Sequence, residues 1–164
     1  MGNPGSGKST LADALGKKLG FPVFHLDREM LFGNFEFHPA EKRQSIHDRL
    51  VEGDSWIIDG SYRDLAPRRL ERATLVIYIH TSRIFTFGRI IRRYLTNSNL
   101  KQSIPGDARN VLTWKYLWWS LKNSSRKRLK ELKSLIQFYP NCQLLVLGRG
   151  KLDDMVNRAV SALT

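Results

Sequence analysis

An α/β domain with a parallel sheet covered by helices on both faces is predicted from three observations. Apolar runs of strand length alternate with stretches of helical periodicity, and those runs are continuous instead of alternating with polar residues. A glycine-rich loop also opens directly onto the first helix. Leu11, Ala12, Leu15 and Leu19 recur at helical spacing over residues 8–19, and Gly20 and Pro22 end that helix. Pro22–Asp27 reads as a short buried strand, and residues 28–38 as irregular chain with Gly33 and Asn34 as turn formers. Pro39 suits the first turn of a helix running to about Glu52. Trp56–Asp59 is a second strand, 65–72 a short helical piece, and Leu75–Ile79 a third strand. Thr81 or Ser82 can cap a helix that continues through Arg93 to about Thr96. A polar loop follows over 97–107, then a helix with Trp114, Leu117, Trp118 and Leu121, whose spacing suits the core. Ser124 or Ser125 caps a further helix to about Phe138, Leu144–Leu147 is the last strand, and 152–163 the last helix.

Composition bounds the rest. A chain of 164 residues with 41% hydrophobic and 26% charged residues fits one globular domain. The single cysteine, Cys142, excludes an intrachain disulfide framework and reads as a core thiol. No apolar run approaches the ~20 residues of a membrane span, and no signal-peptide pattern is seen, so no membrane partner and a cytoplasmic location are expected. Lys and Arg number 27 against 15 Asp and Glu, a net +12, which points to an anionic partner.

Gly2-Asn3-Pro4-Gly5-Ser6-Gly7-Lys8-Ser9 fits G-x-x-x-x-G-K-[ST], the phosphate-binding P-loop pattern. Its glycines let backbone N–H groups approach phosphate oxygens, and the following helix adds its positive end. Lys8 can bridge the β- and γ-phosphates of ATP, Ser9 can ligate Mg²⁺, and Thr10 can reach the α-phosphate. The expected fold is therefore the P-loop NTPase type, a three-layer α/β/α sandwich. Such a loop should follow a buried central strand, yet only Met1 precedes Gly2; we expect the natural chain to carry that first central strand ahead of it.

Asp27 and Asp59 each close an apolar run, and in parallel sheets ligands lie beyond the carboxyl ends of strands. Asp59 is the Walker-B-like candidate, holding Mg²⁺ through water. Asp27 is expected to orient or deprotonate an acceptor hydroxyl, or also to serve the metal. His25, His38 and His47 show no metal-ligand spacing.

Gly2–Thr10, Pro22–Asp27, Trp56–Tyr62, Arg89–Arg93 and the aromatic Trp114–Trp119 with Arg126-Lys127-Arg128 together resemble the DNA topology modulation proteins. These are small P-loop kinases or ATPases related to adenylate kinase. The chain departs from that family at Ile79-His80, where Leu-Asp is usual, and at Phe35 and Phe37, where Trp is usual. The resemblance implies a lid-like basic insertion over 97–128, with Arg89, Arg93, Arg126 and Arg128 clamping the transferring phosphoryl group. It also implies that Arg149, after the last strand, lies in the loop contacting adenine. Residues 83–133 hold seven Arg and six Lys against Asp107 and Glu131, a net +11. Two readings follow. The first is a kinase using ATP·Mg²⁺ on a small acceptor, a nucleotide among the candidates. The second is an ATP-dependent nucleic-acid-binding regulator whose basic, aromatic segment tracks phosphates and stacks bases.

Overall fold

In the computed structural model, which describes residues 1–3, 5–32, 36–95 and 125–163, helix α1 (Lys8–Leu19) buries the expected stripe of Leu11, Ala12 and Leu15. Gly20 takes a left-handed conformation (φ 71°) and donates its N–H to the Gly16 carbonyl, which ends the helix. Strand β1 (Val23–His25) follows, then the short helix α2 (Leu26–Glu29), strands β2 (Leu31–Phe32) and β3 (Glu36–Phe37), and helix α3 (Ala40–Val51). Strand β4 (Ile57–Asp59), a 3-10 turn (Arg63–Leu65), α4 (Ala66–Arg72), β5 (Leu75–Ile79) and α5 (Arg83–Leu95) come next. The described chain closes with α6 (Ser125–Ile136), β6 (Gln143–Leu147) and α7 (Leu152–Ser161).

The described strands form two parallel pairs and one antiparallel hairpin. β1 runs parallel to β4 with His25 opposite Asp59. β5 runs parallel to β6 along all five residues. Met1 and Gly2 lie beside β5: the Met1 amino group donates to the Ile77 carbonyl at 2.5 Å, Ile79 N–H donates to the Met1 carbonyl, and Gly2 forms a parallel bridge with Ile79. Alternation along β5 supplies both faces. Ile79 packs with Leu11, Leu15, Leu147, Val156 and Ala159 under α1 and α7, whereas Val76 and Tyr78 pack with Ala66, Leu70 and Leu132 under α4 and α6. This is the α/β/α layering expected from the sequence. No helix among the described residues is long and apolar enough to cross a membrane.

Two local expectations need correction. The strand expected over Pro22–Asp27 ends at His25, because Leu26 and Met30, four residues apart and both fully buried, enter one cluster with Ile46 and Leu65. A helical turn brings the two side chains together where a strand would hold them four residues' rise apart, so Asp27 rides on α2 and not on a strand end. Residues 28–38, expected to be irregular, contain the β2–β3 hairpin. Its strands of two residues each are too short to show a period. Ser82, not Thr81, caps α5, its hydroxyl accepting the Phe85 N–H at 3.3 Å. The loop at 97–107, the Trp114 helix and most of the expected lid over 97–128 lie outside the described residues, as does Pro4.

Candidate phosphate and metal site

The site forms where α1 begins, at the carboxyl ends of β1, β4 and β5. Gly7 sits at φ 97°, a left-handed conformation that turns the chain into the helix, and a Cβ there would lie 3.4 Å from Arg89 Nη1. Arg89, from α5, thus comes close to Gly7 of the glycine-rich loop. Lys8 Nζ donates to the Asn3 carbonyl at 3.1 Å, folding back over the loop, and Ser6 N–H donates to the same carbonyl. The Asn3 amide and the Ser6 hydroxyl are buried, with no hydrogen-bond partner among the described residues. A buried polar atom left unpaired costs about 1–3 kcal/mol, so this loop has unspent capacity for a polar ligand. Gly2 is buried, Gly5 is also left-handed (φ 73°), and Thr10 is exposed on the first turn of α1.

Ser9 Oγ donates to Asp59 Oδ2 at 2.5 Å, joining the phosphate loop to the end of β4. Burial opposes ionisation of Asp59. Hydrogen bonds from His25 and Ser9, with the Lys8 charge, outweigh it and hold the carboxyl below its ordinary value. A hydroxyl and an ionised carboxylate are hard oxygen donors, the set Mg²⁺ takes while keeping several waters. Among the described residues no group of three or more His, Cys, Asp or Glu could hold a metal unaided. Ser9 and Asp59 thus offer two adjacent oxygen donors of the kind Mg²⁺ takes.

Asp27 accepts a hydrogen bond from the Tyr62 hydroxyl at 3.1 Å. Asp27 is an exposed residue, yet desolvation by the protein around its carboxyl raises it above its ordinary value; Tyr62 works against this and the neighbouring Asp59 charge adds to it. The Phe37 ring meets Tyr62 edge-on at 6.2 Å, and the Arg43 guanidinium lies 5.9 Å from the Phe37 centroid. Arg69, buried on α4, braces this corner by donating to the carbonyls of Gly60 and Tyr62 at 3.0 and 2.9 Å. Gly60 itself has φ 140°, and a Cβ there would stand 2.7 Å from Leu26 Cβ, so the exit from β4 needs glycine.

Not every expected residue converges. Arg149 lies with its guanidinium 4.1 Å from the Phe85 centroid, and Arg89 stands 5.9 Å from the same ring, so Phe85 links them. Arg93 follows Arg89 by one turn on α5, with only its backbone described. Arg126 is exposed at the start of α6. Arg128 is half-buried on the α4–α6 face; burial, and then the charge of Arg63, lowers its pKa.

Sequence reasoning missed His25, Asp13, Tyr62 and Phe85. His25 Nδ1 is 3.3 Å from Asp59 Oδ2 and Nε2 is 2.9 Å from Asp13 Oδ1. The Asp59 hydrogen bond raises the His25 pKa, burial opposes it, and Asp13 adds to it. The signal available was strand register, which pairs His25, and not Asp27, with Asp59.

No protein-family model matches the chain. Adenylate kinase from Mycolicibacterium smegmatis (strain ATCC 700084 / mc(2)155) is 24% identical over 180 aligned positions, covering 99% of this chain and 96% of that protein. Shikimate kinase from Bacteroides thetaiotaomicron superposes with a TM-score of 0.57 at 17% identity, covering 99% of this chain and 95% of that one. The fold is the three-layer α/β/α sandwich of the P-loop NTPase type. Deoxyadenosine kinase from M. mycoides (TM-score 0.55, 16% identity, 99% and 95% covered) and a gluconokinase from Sinorhizobium meliloti 1021 (0.54, 17%, 99% and 88%) share it.

Proposed function

We propose that the chain is a small P-loop kinase that transfers the γ-phosphoryl group of ATP to a small acceptor. The observation that carries this reading is the 2.5 Å hydrogen bond from Ser9 to Asp59 beside Lys8, at the foot of a glycine-turned loop with unpaired buried polar atoms. The loop backbone from Gly2 to Gly7 and the start of α1 would cradle the phosphates, with Lys8 moving from the Asn3 carbonyl to the β- and γ-oxygens. Ser9 and Asp59 would hold Mg²⁺, which when bound neutralises charge on the phosphate oxygens. Arg89, beside Gly7, adds a second cation at the loop, and Arg93, Arg126 and Arg128 are its proposed partners. Asp27 orients the acceptor and takes its proton, a role suited by a carboxyl pushed upward by desolvation and steadied by Tyr62. Adenine would lie toward Arg149 and Phe85. The similarity to adenylate kinase and to three small-molecule kinase structures supports the reading.

The test is ATP binding by calorimetry in wild type and Lys8→Ala, with ADP release measured against nucleoside monophosphates, nucleosides and small alcohols. Wild type should bind ATP and release ADP with at least one acceptor, and Lys8→Ala should lose most of both. Unchanged binding and turnover in Lys8→Ala would remove the reading.

A further inference from the structure

Four side chains form a hydrogen-bonded series at the site, and three of them lie outside the phosphate-loop pattern. Ser9 Oγ donates to Asp59 Oδ2; the same oxygen faces His25 Nδ1; His25 Nε2 faces Asp13 Oδ1. Asp13 and Ser9 are four apart on α1 and so share one helical face. His25 and Asp59 are direct register partners on neighbouring parallel strands, so their side chains leave the sheet on the same side.

We propose that His25 is a positioning residue for Asp59, held in place by Asp13, so that the carboxylate faces the phosphate loop in one orientation. The inference rests on the kinase reading given above. The torsion that turns an Asp carboxylate is broad and roughly two-fold, so packing alone does not fix its plane. Ser9 fixes one oxygen, but its hydroxyl is also the proposed metal ligand and is free to rotate. The imidazole is rigid, only 13% exposed, and held at both nitrogens. Both described hydrogen bonds land on Oδ2, leaving Oδ1 with no partner among the described residues. Asp13, by contrast, is 49% exposed and not needed for packing, and its described contact is the one to His25. A histidine present only to fill the core would need neither carboxylate.

The test uses the full chain with Mn²⁺ in place of Mg²⁺, its binding in the presence of ADP followed by electron paramagnetic resonance. Removing an outer partner of a metal-holding carboxylate typically costs about 10–100-fold in metal affinity. His25→Ala should show a loss of that size, with metal-free ADP binding unchanged. His25→Asn should recover most of it, because the Asn amide places an N–H close to the position of Nδ1, whereas His25→Gln should not. Asp13→Asn, at the exposed rim, should show a smaller loss in the same direction, and it carries the test if His25→Ala folds poorly. Wild-type Mn²⁺ affinity in His25→Ala, or in Asp13→Asn if that variant carries the test, overturns the inference and leaves the kinase reading standing. A wild type that binds no Mn²⁺ with ADP overturns both.

Discussion

Two histidines on neighbouring elements meet opposite surroundings. At the carboxyl ends of β1 and β4, His25 has a carboxylate oxygen at each ring nitrogen, and its pKa is raised. On α3, His47 is fully buried with neither ring nitrogen hydrogen-bonded among the described residues, although Asp48 stands 3.7 Å from Nδ1. Burial, with the Arg69 charge behind it, lowers its pKa. The buried charges nearby divide the same way. Asp59 is held by two side chains, the rotatable Ser9 hydroxyl and the His25 ring. Arg69 is held by two backbone carbonyls. Under the proposed function, one region keeps its polar groups for a ligand and the other uses them to fix the chain.

If that division is right, changes in the first region should cost activity and changes in the second should cost stability. The largest effect is expected at Asp27. Asp27→Asn should lower turnover by about 10²–10⁴-fold, the usual contribution of a general base, with ATP affinity kept. Because desolvation holds the Asp27 carboxyl above its ordinary value, turnover in wild type should fall as pH drops through that raised value, a limb the variant lacks. A variant with full turnover would make Asp27 a surface carboxylate of α2.

Next comes Arg69→Met. It should leave the Gly60 and Tyr62 carbonyls without their donor, at about 1–3 kcal/mol each, seen as a lower denaturant midpoint. Removing a buried charge returns part of that cost, since burial, opposed by the Asp64 charge, brings the guanidinium pKa down to about 10. ATP affinity per folded molecule should change little.

The sequence made some of this legible and some not, for physical reasons. Leu75–Ile79 and Leu144–Leu147 were readable because strands buried on both faces show as unbroken apolar runs. The Lys8 helix was readable from its stripe and from Gly20. Asp27 was placed two residues wrong because the turn at Leu26 answers to Met30, Ile46 and Leu65, contacts far apart along the chain. The phosphate-loop pattern points to Ser9 and an apolar run points to Asp59 at its end, but neither signals the hydrogen bond between them. His25 was not legible, because its partners are set by register and by a helix face, neither of which leaves a spacing to read. The Phe85–Arg149 contact joins α5 to the loop after β6 and has no local signal at all.

A smaller effect separates the two histidines directly. His47 has a folded-state pKa below its unfolded value of about 6.5, so the neutral form favours folding. The stability this supports is present above that unfolded pKa and is lost as pH falls below it, where the unfolded chain takes the proton first. His47→Leu should therefore flatten the decline in urea midpoint between about pH 7 and pH 5. An unchanged decline would mean that His47 is not what senses acid. The smallest effect is expected for Arg149→Ala, which removes a cation from the Phe85 face at about 0.5–1 kcal/mol and should weaken ATP binding only a few-fold.

The central claim is that Ser9 and Asp59 form the metal end of a nucleotide site. The measurement that bears on it most directly is ATP turnover against Mg²⁺ concentration in wild type and Asp59→Asn, with metal-free nucleotide binding measured in parallel. An amide keeps the shape and a hydrogen bond to Ser9 but loses the charge. The account predicts that the variant needs at least about tenfold more Mg²⁺ for half-maximal turnover while binding metal-free ATP as wild type does. Identical Mg²⁺ dependence in the two proteins would contradict it, and Asp59 would then be a carboxylate that only ties β4 to α1.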